Sequence, residues 1–252
     1  MDQWIFLRGL VRESRHWGDF VERFQVAFTG ALVTPLDLPG NGLRNGAESP
    51  LTMKAMVEDC RAQLRARAVA PPYKLLAISM GGMVAVQWAN DYPNELQQVV
   101  AINTSMRPFN PLWERLHPRN YGALLHLMLW PRSAMAWERE ILRMTSFHTH
   151  DHVVHHAQVL EHWVALRNAS PVSRKNALRQ LFAAATFRAL QRTPPVPMLL
   201  LASTEDQLVS VVCSRTLARA WGVVLRECAG AGHDLPLDDP EWVIGEIRSW
   251  PR

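Results

Sequence analysis

The sequence predicts an α/β fold, with a mainly parallel central sheet, helices on both faces and a helical insertion late in the chain. Three observations predict it. Short apolar runs alternate with segments of helical apolar spacing, the rhythm of strands joined by helical crossovers. Gly and Pro punctuate many of the junctions. Between Met106 and Arg192 the strand rhythm lapses, while Trp, His and Arg gather at helical spacing.

Each element follows in chain order. Residues 4–7 form a short strand run that closes at Gly9, and residues 16–28 set Trp17, Phe20, Val21, Phe24 and Phe28 at helical spacing. A second strand over 31–38 is stopped by Pro39-Gly40-Asn41-Gly42. Residues 51–68 predict a helix with Met53, Met56, Val57, Cys60 and Leu64 on one side, ended before Pro71-Pro72. Strands over 73–79 and 96–104 flank a helix over 81–90. Pro194-Pro195-Val196-Pro197 closes the insertion. Strands over 198–202 and 223–228 then flank a helix over 210–221, and residues 240–250 form a closing helix. The expected division is a core of residues 1–105 and 193–252 with a helical cap over 106–192.

Composition narrows the function classes. At 252 residues, 48% hydrophobic and 20% charged, the chain is neither disordered nor low in complexity. No stretch reaches the ~18 apolar residues of a membrane span. The opening Met1-Asp2-Gln3 leads into only four apolar residues before Arg8, which does not form a secretory leader. Three widely spaced cysteines, Cys60, Cys213 and Cys228, fit buried thiols in a reducing compartment. The expectation is a cytoplasmic protein, monomeric or dimeric. Its net charge of +4 is unevenly spread: residues 106–192 carry 12 cationic side chains against five acidic ones, net +7, which leaves the remainder at −3.

The chemistry concentrates at Leu75-Leu76-Ala77-Ile78-Ser79-Met80-Gly81-Gly82, where a strand runs into a serine and then a helix. Such a corner projects the Ser79 hydroxyl above the sheet. The helix N-terminus behind it offers free N–H groups, so the Met80 amide is placed to bind an oxyanion. Ala77 and Gly81 are small because the turn crowds their neighbours. Ala77 stands where the usual G-x-S-x-G pattern has its first glycine. Downstream, Ser203-Thr204-Glu205-Asp206 puts acids just past a buried strand, and Gly230-Ala231-Gly232-His233 puts a histidine in a glycine-rich loop after the next.

This order of Ser, acid and His, with Asp37-Leu38-Pro39-Gly40-Asn41-Gly42 after an early strand, resembles the α/β-hydrolase superfamily across the whole core. The size and cap position are most similar to small carboxylesterases such as the pimeloyl-acyl-carrier-protein methyl ester esterases. The resemblance implies an α/β-hydrolase fold that starts without the family's two leading strands. It also implies a serine carboxylic-ester hydrolase with Ser79 as nucleophile, His233 as general base and Asp206 as orienting acid, Glu205 being the neighbouring alternative. The second oxyanion donor would be the Leu10 amide, after Arg8-Gly9 where the family carries His-Gly. Arg8 then either pairs with a carboxylate such as Glu13 or contacts substrate. Trp113 and Met128 of the cap are candidate substrate contacts. Thioester or C–C bond hydrolysis by the same residues, or a non-catalytic receptor of this fold, stay open.

No cofactor and no metal are expected. Eight of the ten histidines lie between His117 and His162, and His148, His152, His155 and His156 would share one face of a helix. Without a carboxylate-rich partner set, that face reads as a polar cap surface rather than a metal site. The expected partner is a small-molecule ester, or an acidic acyl-carrier protein attracted by the basic cap. The arginines are interleaved with apolar residues and match no nucleic-acid reader, so nucleic acid is not expected.

Overall fold

The computed structural model describes residues 1–130, 133–147 and 153–250, for 128, 129 and 153–155 by their backbone alone. Six strands form one sheet: β1 (Gln3–Leu7), β2 (Leu32–Leu36), β3 (Tyr73–Ile78), β4 (Leu96–Ile102), β5 (Met198–Ser203) and β6 (Val224–Cys228). Their order is β2-β1-β3-β4-β5-β6, and every pairing is parallel. Strand residues alternate between two cores, as a sheet covered on both faces requires. Ile5, Leu7, Leu75, Ala77, Val99, Ala101 and Leu200 face one, and Trp4, Phe6, Leu76, Ile78, Val100, Ile102 and Leu199 face the other.

The first core is closed by α2 (Met53–Ala66), α3 (Met80–Asp91) and α9 (Val211–Trp221). The second is closed by α1 (Phe20–Ala27) and α11 (Pro240–Ser249), the latter following the single turn α10 (Leu235–Asp238). The five apolar positions expected on one side of α2 are its buried residues. One expected element is split: the spacing over 16–28 resolves into a 3-10 turn, Ser14–Trp17, and α1, because Gly18 adopts φ +56° between them.

Between β4 and β5 lie α4 (Leu112–Arg115), α5 (Tyr121–Leu129), α6 (Ala134–Thr145), α7 (Val153–Ala169) and α8 (Arg174–Thr186). They have an apolar cluster of their own, in which Leu127, Trp137, Ile141, Leu142, Met144 and Trp163 are buried. Polar side chains fasten this segment to the sheet's loops. Asn176 accepts from the Ser49 amide at 2.9 Å, and Gln180 accepts from the Val11 amide at 2.9 Å. None of the described helices is long and apolar enough to cross a membrane.

Candidate active site

Ser79 sits between β3 and α3 at φ +56°, ψ −120°, a conformation costly for a residue with a side chain. Its surroundings hold it there. The Ser79 amide donates to the Ile102 carbonyl at 2.9 Å, and its carbonyl accepts from the Gly82 amide at 2.9 Å and from Thr104 Oγ1 at 2.8 Å. The two glycines are steric necessities. A Cβ on Gly81 would stand 2.6 Å from the Leu7 carbonyl oxygen, and one on Gly82 would stand 2.8 Å from the Thr104 Cβ. Met80 buries its side chain in the core and stands at the head of α3, though it is not among the residues that line the cavity beside Ser79.

The acid and the histidine come together from the ends of β5 and β6. Asp206 Oδ2 lies 2.7 Å from His233 Nδ1, with both residues buried. Asp206 Oδ1 accepts from the Leu208 and Val209 amides at 2.7 and 2.9 Å, so the carboxylate is oriented from both sides. That contact places the ring proton on Nδ1 and leaves the lone pair on Nε2, which is buried and has no hydrogen-bond partner among the described residues. Glu205 turns elsewhere: it accepts from the Gly230 amide at 2.8 Å and from Thr204 Oγ1 at 2.5 Å.

A residue the sequence did not single out fixes the histidine loop. Asn103, at φ +46° after β4, donates to the His233 carbonyl at 2.9 Å and to Ser203 Oγ at 3.0 Å, and accepts from the Ser203 amide at 2.8 Å. It joins the ends of three strands. Its only signal in the sequence is a buried-strand run ending in a residue type that tolerates the left-handed region.

The turn after β1 passes beside Ser79. A Cβ on Gly9 would stand 3.0 Å from the Ser79 Cβ, so Gly9 permits the approach and Leu10 follows it. Val11 adopts φ +53°, an outlier for a β-branched residue. Gln180 of α8, fully buried, accepts from the Val11 amide at 2.9 Å and donates to Asn41 Oδ1 at 2.8 Å. Asn41 Nδ2 in turn donates to the Arg12 carbonyl at 2.9 Å.

Arg8 lies in the wall of the cavity beside Ser79, and its carboxylate partner is not the expected Glu13. It forms a bidentate pair with Asp234, at 3.0 and 2.5 Å, and its guanidinium carbon lies 4.8 Å from the Trp17 ring centroid. Glu13 instead accepts from Arg15 at 2.8 and 2.9 Å. The nearby sequence favoured Glu13, but Asp234 is brought in from 226 positions away, beside His233.

Ser79, His233 and Leu10 line one cavity of about 90 Å³, whose other walls include Leu127, Trp137, Ile141 and Met144. Trp113 is not in its wall and is 62% exposed. The short α4 turns Arg115 inward, where it donates to the Ala184 and Ala185 carbonyls, and this leaves Trp113 on the other side. Met128 belongs to α5, but its side chain lies outside the described residues.

The remaining candidates sort quickly. Cys60, Cys213 and Cys228 are free and buried; burial pushes the Cys213 thiol up to about 12 and that of Cys228 to about 11, so neither is a ready thiolate. Of the histidine cluster, His148, His150 and His152 lie outside the described residues, as does the His155 side chain, while His156 Nε2 is 2.9 Å from Ser146 Oγ. Among the described residues no group of His, Cys, Asp or Glu is placed to hold a metal ion.

The model of the alpha/beta hydrolase family matches residues 4–246 of the chain. Among solved structures, the enol-lactonase from Burkholderia xenovorans LB400 superposes with a TM-score of 0.79 at 16% identity, over 98% of this chain and 90% of that one. A thermophilic esterase from Thermogutta terrifontis superposes at 0.77 with 19% identity, over 99% and 89% of the two chains. A hydrolase from Pseudomonas aeruginosa PA01 reaches 0.78 at 18% identity, over 98% and 89%. At these identities the likeness is one of fold. None of the curated proteins matches the sequence.

Proposed function

The chain belongs to the alpha/beta hydrolase family, and from that premise we propose that it is a serine carboxylic-ester hydrolase acting through Ser79, His233 and Asp206. The observation that carries the proposal is the buried 2.7 Å contact between Asp206 Oδ2 and His233 Nδ1, with His233 and Ser79 in the wall of one cavity. A histidine so oriented has its basic nitrogen free for a serine hydroxyl.

His233 Nε2 takes the proton as Ser79 Oγ attacks the ester carbonyl carbon. The carbonyl oxygen becomes an oxyanion held by the Met80 and Leu10 amides. Collapse of the tetrahedral intermediate breaks the bond to the alkoxy oxygen, which leaves as the alcohol with the proton from His233. Water then attacks the acyl-Ser79 ester and gives a proton to Nε2; the acid is released and Ser79 recovers its hydrogen. Asp206 keeps the ring in the required tautomer and offsets the charge it gains.

The substrate in this proposal is a small-molecule ester. A carrier-linked ester is a narrower form of it, and some of the cations that would attract a carrier are already paired. Lys175 and Arg179 pair with Glu48, and Arg143 pairs with Glu140. Thioester or C–C bond hydrolysis would use the same residues, and a receptor of this fold would bind ligand without turnover. Hydrolysis of ethyl butyrate followed by acid release separates them: turnover is expected in the native protein and not in Ser79→Ala. Equal rates in the two would remove Ser79 from the mechanism.

A further inference from the structure

The cavity beside Ser79 has two arginines in its wall, and each already pairs with a carboxylate. Arg8 is matched by Asp234 at 3.0 and 2.5 Å. Arg12 is matched by Glu138 of α6 at 2.5 Å, with its guanidinium carbon 3.8 Å from the Trp163 ring centroid. Of the donors these pairs leave over, Arg8 Nε and Arg12 Nη2 are buried without a hydrogen-bond partner among the described residues. Arg167, the second guanidinium on Glu138 at 3.5 Å, is not in the cavity wall. The other ionisable groups in the described wall are Asp234, which Arg8 already holds, and His233, whose Nε2 the proposed mechanism needs.

Apart from Ser79 and Thr145, whose hydroxyl donates to the Ile141 carbonyl at 2.9 Å, the rest of the described wall is mainly apolar, with Leu124, Leu127, Trp137, Ile141, Met144 and Leu181 contributing to it. Four of these belong to the well-packed cluster of the helices between β4 and β5, which limits how far the wall can yield. The volume, about 90 Å³, is below the ~150 Å³ of a protein cavity that takes up benzene. The acyl group stays bonded to Ser79 after the alcohol has gone, so the space beside Ser79 is the place for the acyl chain.

We infer that the site selects esters of short, uncharged acyl chains, because both cavity arginines are already neutralised and the remaining wall is tight and apolar. This rests on the ester-hydrolase proposal above. A carboxylate at the far end of the acyl chain would give up its water with no unpaired arginine or lysine in the wall to meet it among the described residues, which costs far more than burying a methyl group saves.

The experiment compares kcat/KM for ethyl butyrate, monoethyl succinate and ethyl octanoate at neutral pH with the native protein, by acid release. Butyrate is expected to exceed both others at least tenfold. A smaller margin over succinate overturns the charge selection, and a smaller margin over octanoate overturns the length selection. Glu138→Gln strips Arg12 of its counter-ion and is expected to raise the succinate-to-butyrate ratio at least tenfold. A folded variant with an unchanged ratio would overturn the assignment of neutralisation to Glu138, and a variant that fails to fold leaves the native comparison decisive. If ethyl butyrate is not turned over at all, or Ser79→Ala turns it over equally, the ester-hydrolase proposal itself fails. Ser79-dependent turnover without the selectivity defeats only the present inference.

Discussion

Arg8 and Asp234 form a buried two-point ion pair that ties the turn carrying Leu10 to the loop carrying His233. One partner lies two residues before the proposed oxyanion amide, the other directly after the proposed base. A pair so placed fixes the distance between two halves of the site that come from opposite ends of the chain.

Removing one side strands the other. Arg8→Met leaves Asp234 buried without its counter-ion, and breaking a buried pair in this way costs about 3–5 kcal/mol. A urea-denaturation midpoint well below that of the native protein is expected, with much of the loss regained in Arg8→Met/Asp234→Leu. A single substitution that leaves the midpoint unmoved would mean that the pair does not hold the loops.

Asp206→Asn tests the orienting acid. Asn retains an acceptor for the Leu208 and Val209 amides, but it no longer holds His233 in the required tautomer. A fall in kcat of about 10⁴-fold, with KM little changed, is expected from steady-state kinetics. A fall of less than tenfold would shift attention to Glu205.

Gln180 is the anchor of the left-handed Val11. Gln180→Leu removes that acceptor one residue from the Leu10 amide. A kcat loss of about 10- to 100-fold at near-constant KM is expected, the scale of a small displacement in a catalytic geometry. Gln180→Glu keeps the acceptor and is expected to retain more activity than Gln180→Leu; the reverse order would deny the hydrogen bond its role.

Asp238 sets a pH dependence. It accepts from the Phe147 amide at 2.8 Å, the Gly232 amide at 2.6 Å and the Ser146 hydroxyl, joining the helical segment to the His233 loop. Burial outweighs these donors and pushes its carboxyl up to about 6, from an ordinary value of 3.8. Between those two values the folded protein holds a proton that the unfolded chain has released, so stability falls as pH rises through that window and is flat above it. Urea midpoints measured from pH 4 to pH 7 should therefore show the native protein losing ground to Asp238→Asn up to about pH 6. A difference between the two that does not change with pH would contradict the raised value.

Much of this architecture was legible in the sequence, for local reasons. Ser79 announces itself because the glycines that make room for β1 and β4 are its immediate neighbours. Asp206 and His233 follow the last two strands, β5 and β6, at the end where a parallel sheet of this kind gathers its ligands. The rest depends on contacts that no spacing encodes. Asp234 reaches Arg8 from 226 positions away, Gln180 reaches Val11 from 169, and Asn103 reaches His233 from 130. Charge counting misled in a related way: the excess of cations in residues 106–192 is partly met by Glu48 of the remainder, while Arg12 of the remainder is met by Glu138. Trp113 looked like a pocket residue by type, and only the inward turn of Arg115 reveals that it faces away.

The most direct test of the central claim is covalent. Native protein treated with a fluorophosphonate, digested and read by mass spectrometry should carry one adduct, on Ser79, and pre-treatment with a denaturant or Asp206→Asn should suppress it. Folded native protein that stays unlabelled at Ser79, or is labelled at another residue, would contradict the account.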